Sequence, residues 1–250
     1  MPSRTERAVD VTTASIPLAV VPAAATLLSL SKVARALAAR GGGGATFPFP
    51  TGLPTLWTYV SLPNGPGGPG GAAAGGPLSV LAFLPLFLVG LLITSALEAG
   101  FLGALLGRID DAPPAFVESV ERFTVRMVGV NLVRTAVVLA ALPFLVFPPL
   151  ALAVVVVLSY LVYGLPFELV VSDAPLGAAL ASTVERALDG GAYASFGFAH
   201  LLAGSVASFF VTGLVRNTGV LGVVLGAAIV AVPAVFVATY GLLVFRGFDG

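Results

Sequence analysis

Long apolar runs, broken by short polar interruptions, organise this chain. A hydrocarbon layer roughly 30 Å thick takes about 20 apolar residues to cross as an α-helix. Six runs meet that requirement: residues 11–37, 78–97 with a continuation to 106, 128–146, 150–171, 192–215 and 220–245. Phe147-Pro148-Pro149 separates the third run from the fourth, and Arg216-Asn217-Thr218-Gly219 the fifth from the sixth. Both spell tight hairpin loops, because Pro and Gly end helices. Ala153-Val154-Val155-Val156-Val157-Leu158 favours a strand locally. Strands of a membrane barrel, however, alternate apolar and polar residues over about ten positions, and these runs are apolar on every face. The expected fold is all-α: one membrane domain over 1–250, a polytopic bundle of about six transmembrane helices with short interfacial amphipathic helices.

Two further patterns refine this picture. Thr5-Glu6-Arg7-Ala8, Val120-Glu121-Arg122-Phe123 and Val184-Glu185-Arg186-Ala187 each precede an odd-numbered run. Around the second, Phe116, Val120, Phe123 and Met127 fall at helical spacing; around the third, Leu180, Val184 and Leu188 do so. Such stretches suit helices lying at the membrane surface. The chain then parses into three hairpin units, 1–105, 114–171 and 176–246. By contrast, residues 41–77 are rich in Gly and Pro and carry no charge. That composition predicts a mobile extracytoplasmic loop, whose rings Phe47, Phe49, Trp57 and Tyr59 could rest at headgroup level.

Composition agrees. Of 250 residues, 58% are hydrophobic and 10% charged, where soluble domains carry about 25% charge. A net charge of zero gives no reason to expect a nucleic-acid partner, and the absence of Cys excludes disulfides and thiolate metal sites. With six crossings both termini share one side. That side holds Arg4, Arg7, Arg108, Arg122, Arg126, Arg186 and Arg246, against Lys32, Arg35, Arg40 and Arg216 on the other. The basic excess predicts cytoplasmic termini in a multi-pass cell-membrane protein. Ala36-Leu37-Ala38 resembles a signal-peptidase site, but the apolar run before it is long and Lys32 and Arg35 stand just upstream, so cleavage is not expected.

The segment Phe167-Glu168-Leu169-Val170-Val171-Ser172-Asp173 is followed by Gly177-Ala178-Ala179-Leu180, Ser182 and then a span. With Pro166 before it, this resembles a loose family of six-helix membrane proteins. The family includes the membrane domain joined to some glycerophosphodiester phosphodiesterases and stand-alone archaeal and bacterial relatives. The resemblance covers residues 78–246. It implies a membrane location; no phosphodiesterase domain is present, so it implies no catalysis.

Catalytic signatures are missing. One His excludes a His-Glu-x-x-His site, no Gly-x-Ser-x-Gly elbow or phosphate loop occurs, and no cofactor is called for. The chain is therefore expected not to be an enzyme. What remains are polar groups in apolar surroundings, which in a membrane are functional candidates by default: Glu98, Asn131, Arg134, Glu168 and His200. Glu98 and Arg134 could form a buried pair lining a polar path. The favoured alternative leaves Glu98 at the interface and lets Arg134 snorkel to headgroups. Glu168 is likewise expected at the interface. His200, Gly204, Ser208 and Thr212 share one face of the fifth run, where small and polar residues make interhelical contacts. Gly103-x-x-x-Gly107 and Gly222-x-x-x-Gly226 offer similar close-packing faces, and Pro17, Pro22, Pro85, Pro143 and Pro233 are expected to kink their helices. The leading expectation is a non-enzymatic protein that organises or contacts membrane lipids, a partner membrane protein or a second copy of itself. The alternative is a transporter of ions or small solutes that uses the buried polar groups.

Overall fold

The computed structural model describes residues 3–39, 41, 44–62, 77–113 and 115–247, without the side chains of 77–83. Helices dominate, and no strand occurs among the described residues. In order they are α1 (Arg4–Ala14), α2 (Val20–Leu28), α3 (Leu30–Ala38), α4 (Pro77–Ile109), α5 (Phe116–Ala141), α6 (Pro148–Val162), α7 (Leu165–Ser172), α8 (Leu176–Asp189), α9 (Gly191–Thr218) and α10 (Val220–Phe245). Five stretches are long and apolar enough to cross a membrane: Leu84–Ile109, Phe116–Val146, Pro148–Ser172, Gly191–Thr218 and Val220–Phe245. Their outer faces carry large exposed apolar side chains, such as Leu86 on α4, Leu139 on α5, Leu152 on α6, Phe210 on α9 and Ile229 on α10. A bundle with an apolar exterior is what a lipid solvent requires.

The first apolar run, 11–37, is not one continuous helix, and its sharpest bend falls beside Pro17, where a kink was expected. A capping box, Ser3 with Glu6, starts α1. After Ser15 the path turns through 79° into a 3-10 turn over Ile16–Ala19 and then α2. Pro17 stands in that turn, where its missing N–H costs nothing. Counted as one crossing, this bent pair brings the spans to six.

Three other boundaries differ from the sequence pattern. The amphipathic stretch 114–127 and the third run form a single helix, α5, because nothing between Phe116 and Ala141 breaks the backbone ladder. The fourth run is interrupted at Tyr163-Gly164, between α6 and α7, where Gly164 lets the rings of Phe245 and Tyr193 come close. The second helix extends to Ile109, and its Gly103 and Gly107 admit Ser119 and the Pro113 carbonyl.

Ion pairs identify one end of the bundle. There Arg7 bonds Asp111 at 3.0 Å, Arg246 bonds Asp110 at 2.8 Å, and Arg126 bonds Asp173 at 2.7 Å beside Arg122. The three Glu-Arg segments all lie here, with Arg7, Arg122 and Arg186 each paired to an acid from another element. The start of α1 and the end of α10 therefore belong to this charged end. At the opposite end the Gly41 N–H donates to the Arg216 carbonyl at 3.2 Å.

The Gly/Pro segment departs most from expectation. Residues 63–76 lie outside the described residues. Residues 44–62 form a loop that enters the bundle from the end opposite the ion pairs, turns inside it and returns. Gly44 and Ser61 meet where its two limbs begin, and Thr46 Oγ1 lies 3.1 Å from the Thr58 carbonyl. At the tip, Gly52 packs against Glu98, Leu102 and Pro166. Leu102 stands seven residues before the end of α4, so the tip sits about 10 Å from the charged end at 1.5 Å per residue. The loop is not the mobile, solvated segment its composition suggests: Leu53, Leu56, Trp57, Tyr59 and Val60 are buried. Its only regular structure is a 3-10 turn over Leu56–Thr58.

Candidate functional site

Non-helical backbone at membrane depth is tolerated only where protein or a wet cavity satisfies it. Here hydroxyl side chains on the surrounding helices do so. The Thr46 N–H donates to Ser208 Oγ at 2.8 Å, the Leu56 N–H to Thr26 Oγ1 at 3.1 Å, and the Ser61 N–H to Thr212 Oγ1 at 2.9 Å. Trp57 Nε1 donates to the Thr26 carbonyl at 2.7 Å. His200, Gly204, Ser208 and Thr212 thus form a rail on α9 that holds the loop, instead of the helix–helix contact their spacing suggested. Gly204 leaves room for Pro48 and Tyr59, and Gly226 of α10 leaves room for Leu56.

His200 is buried between the two limbs. Its Nδ1 lies 3.1 Å from the Pro48 carbonyl and its Nε2 lies 3.1 Å from the Tyr59 hydroxyl. A carbonyl only accepts, so Nδ1 carries the proton and donates; Nε2 then accepts from Tyr59. Both ring nitrogens are engaged, and the imidazole acts as a clamp across the loop.

Glu98 is 1% exposed and lies on the other side of the loop tip. Arg134 Nη1 donates to Glu98 Oε1 at 2.9 Å and Oε2 at 3.1 Å, and to Asn131 Oδ1 at 3.1 Å. The Asn131 amide donates in turn to Ser95 Oγ at 3.1 Å and Glu98 Oε2 at 3.3 Å. The interfacial placement favoured for Glu98 is therefore wrong, as is headgroup snorkelling as the relief for Arg134. α4 and α5 pack closely along this stretch, and the carboxylate on one helix meets the guanidinium on the other inside the bundle.

Glu168 is also buried among protein side chains, 5% exposed. Ser182 Oγ donates to its Oε1 at 2.9 Å, and Arg186 Nε lies 3.2 Å from its Oε2. This pair joins α7 to α8 and is separate from Glu98.

A cleft of about 360 Å³ lies between α3, the inserted loop, α5 and α6. Lys32, Thr51 and Arg134 line it among apolar and aromatic groups that include Phe47, Trp57 and Val138. Neither Glu98 nor His200 lines it, so the candidate polar residues do not surround one cavity. Sequence reasoning missed Ser95, Thr26, Tyr59 and Lys32. Hydroxyls in apolar runs carry no distinctive signal, and Lys32 looked like an ordinary flanking charge.

Outside the spans, Asp173 caps α7 in the left-handed region, with φ 52°. Hydrogen bonds from Arg122 and then Arg126 hold its carboxyl below the usual carboxylate range. Among the described residues no group of three His, Asp or Glu is placed to hold a metal ion. No family model matches this chain, and no curated protein or solved structure matches it either.

Proposed function

We propose that this protein is a non-enzymatic membrane protein whose task is to bind membrane lipid, and that it passes no solute through its interior. One observation carries the reading: the inserted loop occupies the space between Glu98 and His200. A transport path through the bundle needs polar groups around a shared aqueous space. Here Glu98 is turned onto Arg134 and Asn131, and His200 onto Tyr59 and Pro48. The polar cleft that remains has apolar walls and Val138, 52% exposed, at its edge. A polar pocket bordering lipid suits an amphiphile better than a hydrated ion. The family resemblance over 78–246 belongs to the same proposal and adds a membrane location alone.

Purification from membranes in a mild detergent, followed by native mass spectrometry, tests the reading. The expected result is a population carrying one or two phospholipids that survive delipidating washes. Lipid-free protein, together with solute uptake by proteoliposomes, would favour the transporter instead. We further propose that the ion-paired end faces the cytoplasm, as the excess of basic residues there suggests. The chain has no Cys, so Glu118→Cys and Asn217→Cys, at exposed positions of opposite ends, give a direct readout. Labelling of Glu118→Cys by an impermeant reagent from outside intact cells would reverse the orientation.

A further inference from the structure

The cleft beside Arg134 holds more positive charge and more donors than the protein itself uses. All of the hydrogen bonds that Arg134 makes run from Nη1, while Nη2 is buried with no partner. Thr51 Oγ1, on the inserted loop, is also buried and unpartnered. Lys32, the sole lysine of the chain, lines the same cleft and has no hydrogen-bond or ion-pair partner among the described residues. Buried donors without acceptors are costly, and Arg134 Nη2 and Thr51 Oγ1 are two of them, while Lys32, an exposed residue, adds a third donor to the cleft. No carboxylate lines the cleft. The uncharged sequence 63–76 contains no acid that could supply one.

The charge balance limits the occupant. Lys32 and Arg134 contribute two positive charges, and Glu98 behind Arg134 cancels one, leaving room for one negative charge. The three free donors sit on separate elements: Lys32 on α3, Thr51 on the loop and Arg134 on α5. A tetrahedral phosphodiester, with oxygens in several directions, matches such spread donors better than a flat carboxylate with two. The volume, about 360 Å³, takes a headgroup and glycerol but not two acyl chains. Exposed apolar side chains beside the cleft, Val138 and Leu139 on α5 and Val156 on α6, offer a surface for those chains.

We propose that this cleft is a binding site for a phospholipid with a monoanionic phosphodiester headgroup, held by Lys32, Thr51 and the free Nη2 of Arg134. The assignment rests on the lipid-binding reading above and specifies its site and headgroup chemistry. The test uses the full chain in mild detergent, with phosphatidylglycerol and phosphatidylcholine offered at equal concentration and bound lipid read by native mass spectrometry. Wild type should retain phosphatidylglycerol about tenfold over phosphatidylcholine, and Lys32→Gln should remove most of that preference, on the order of one charge-assisted contact. Thr51→Val, which keeps the shape and loses the donor, should weaken retention of both lipids about threefold, because both carry the phosphodiester that Thr51 meets. It serves as the second variant should Lys32→Gln fold poorly. Arg246→Gln, at the charged end, should leave the preference unchanged. If wild type retains no lipid, the lipid-binding reading itself falls. If it retains both lipids equally, or if Lys32→Gln keeps the full preference and Thr51→Val the full retention, lipid binding stands and this site is wrong. Displacement of the lipid by inorganic phosphate or by oleate at equal concentration would overturn the phosphodiester-lipid assignment.

Discussion

Glu98 of α4 and Arg134 of α5 meet inside the bundle, with Nη1 2.9 Å from Oε1 and 3.1 Å from Oε2. Removal of one partner leaves the other charge buried, which typically costs about 3–5 kcal/mol. Removal of both costs less than the sum, since neither charge is then stranded. Glu98→Gln, Arg134→Gln and the double variant form a cycle whose coupling should exceed about 1 kcal/mol. Unfolding in mixed micelles measures it. Additive single effects would mean that the two charges find water or headgroups separately.

The inserted loop gives a second expectation, in amide exchange. The amides of Thr46, Leu56 and Ser61 donate to side chains on α9 and α2 and should exchange slowly. Thr26→Val keeps the volume but removes the acceptor of the Leu56 N–H, at a cost of about 1–3 kcal/mol for a stranded buried donor. It should accelerate exchange at Leu56 more than at Ser61, whose acceptor is Thr212. Uniformly fast exchange across 44–62 in the wild type would show that the loop is not held.

These contacts explain what the sequence could and could not reveal. Spans were legible because lipid demands about 20 apolar residues wherever a helix crosses, and 192–215 and 220–245 lie within α9 and α10. The loop was illegible because its stability is not in its own residues. A stretch such as Thr46-Phe47-Pro48-Phe49-Pro50 has the composition of a linker, and its hydrogen bonds come from Thr26, Ser208 and Thr212, far away in the chain. His200, Ser208 and Thr212 were recognisable as one face of a helix, but not what that face holds. Glu98 and Arg134 stood out individually; their pairing depends on how α4 and α5 are rotated against each other. The bend after Ser15 was signalled by Pro17, which stands in the turn.

Asp173 supplies a pH dependence at the charged end. Arg122 and Arg126 hold its folded-state pKa below the unfolded value. A depressed carboxylate contributes stability above its unfolded pKa, and that contribution is lost as pH falls through the folded value. Asp173→Asn should therefore lower the thermal midpoint at neutral pH. The gap to wild type should close at pH values below the ordinary carboxylate range. Because the side chain is 41% exposed, the effect is small, about 0.2–1 kcal/mol, and should shrink with added salt. A gap that persists unchanged through acid would mean that the carboxylate charge is not what joins α5 to α7.

Gly52 is the position where the loop and the ion pair constrain each other most. A Cβ there would fall on the Glu98 carboxylate, 2.7 Å from Leu102 Cδ1 and 3.1 Å from Pro166 Cβ. None of the three can yield easily: the carboxylate is tied to Arg134 and Asn131, Leu102 is fully buried, and the proline ring is rigid. Gly52→Ala should therefore act as an overpacking change and destabilise by about 1–3 kcal/mol. Its effect should also reach the loop, with faster exchange at Leu56. Gly90→Ala offers the opposite sign on the same chain. Gly90 lies within α4 with nothing within 4 Å of a Cβ, so Ala should gain about 0.5–1 kcal/mol there from the stiffer backbone. Unfolding of the two variants side by side separates a general glycine effect from a specific close approach. Equal stabilisation by both substitutions would mean that the loop tip stands clear of Glu98 and that the interior has space the packing around Gly52 denies.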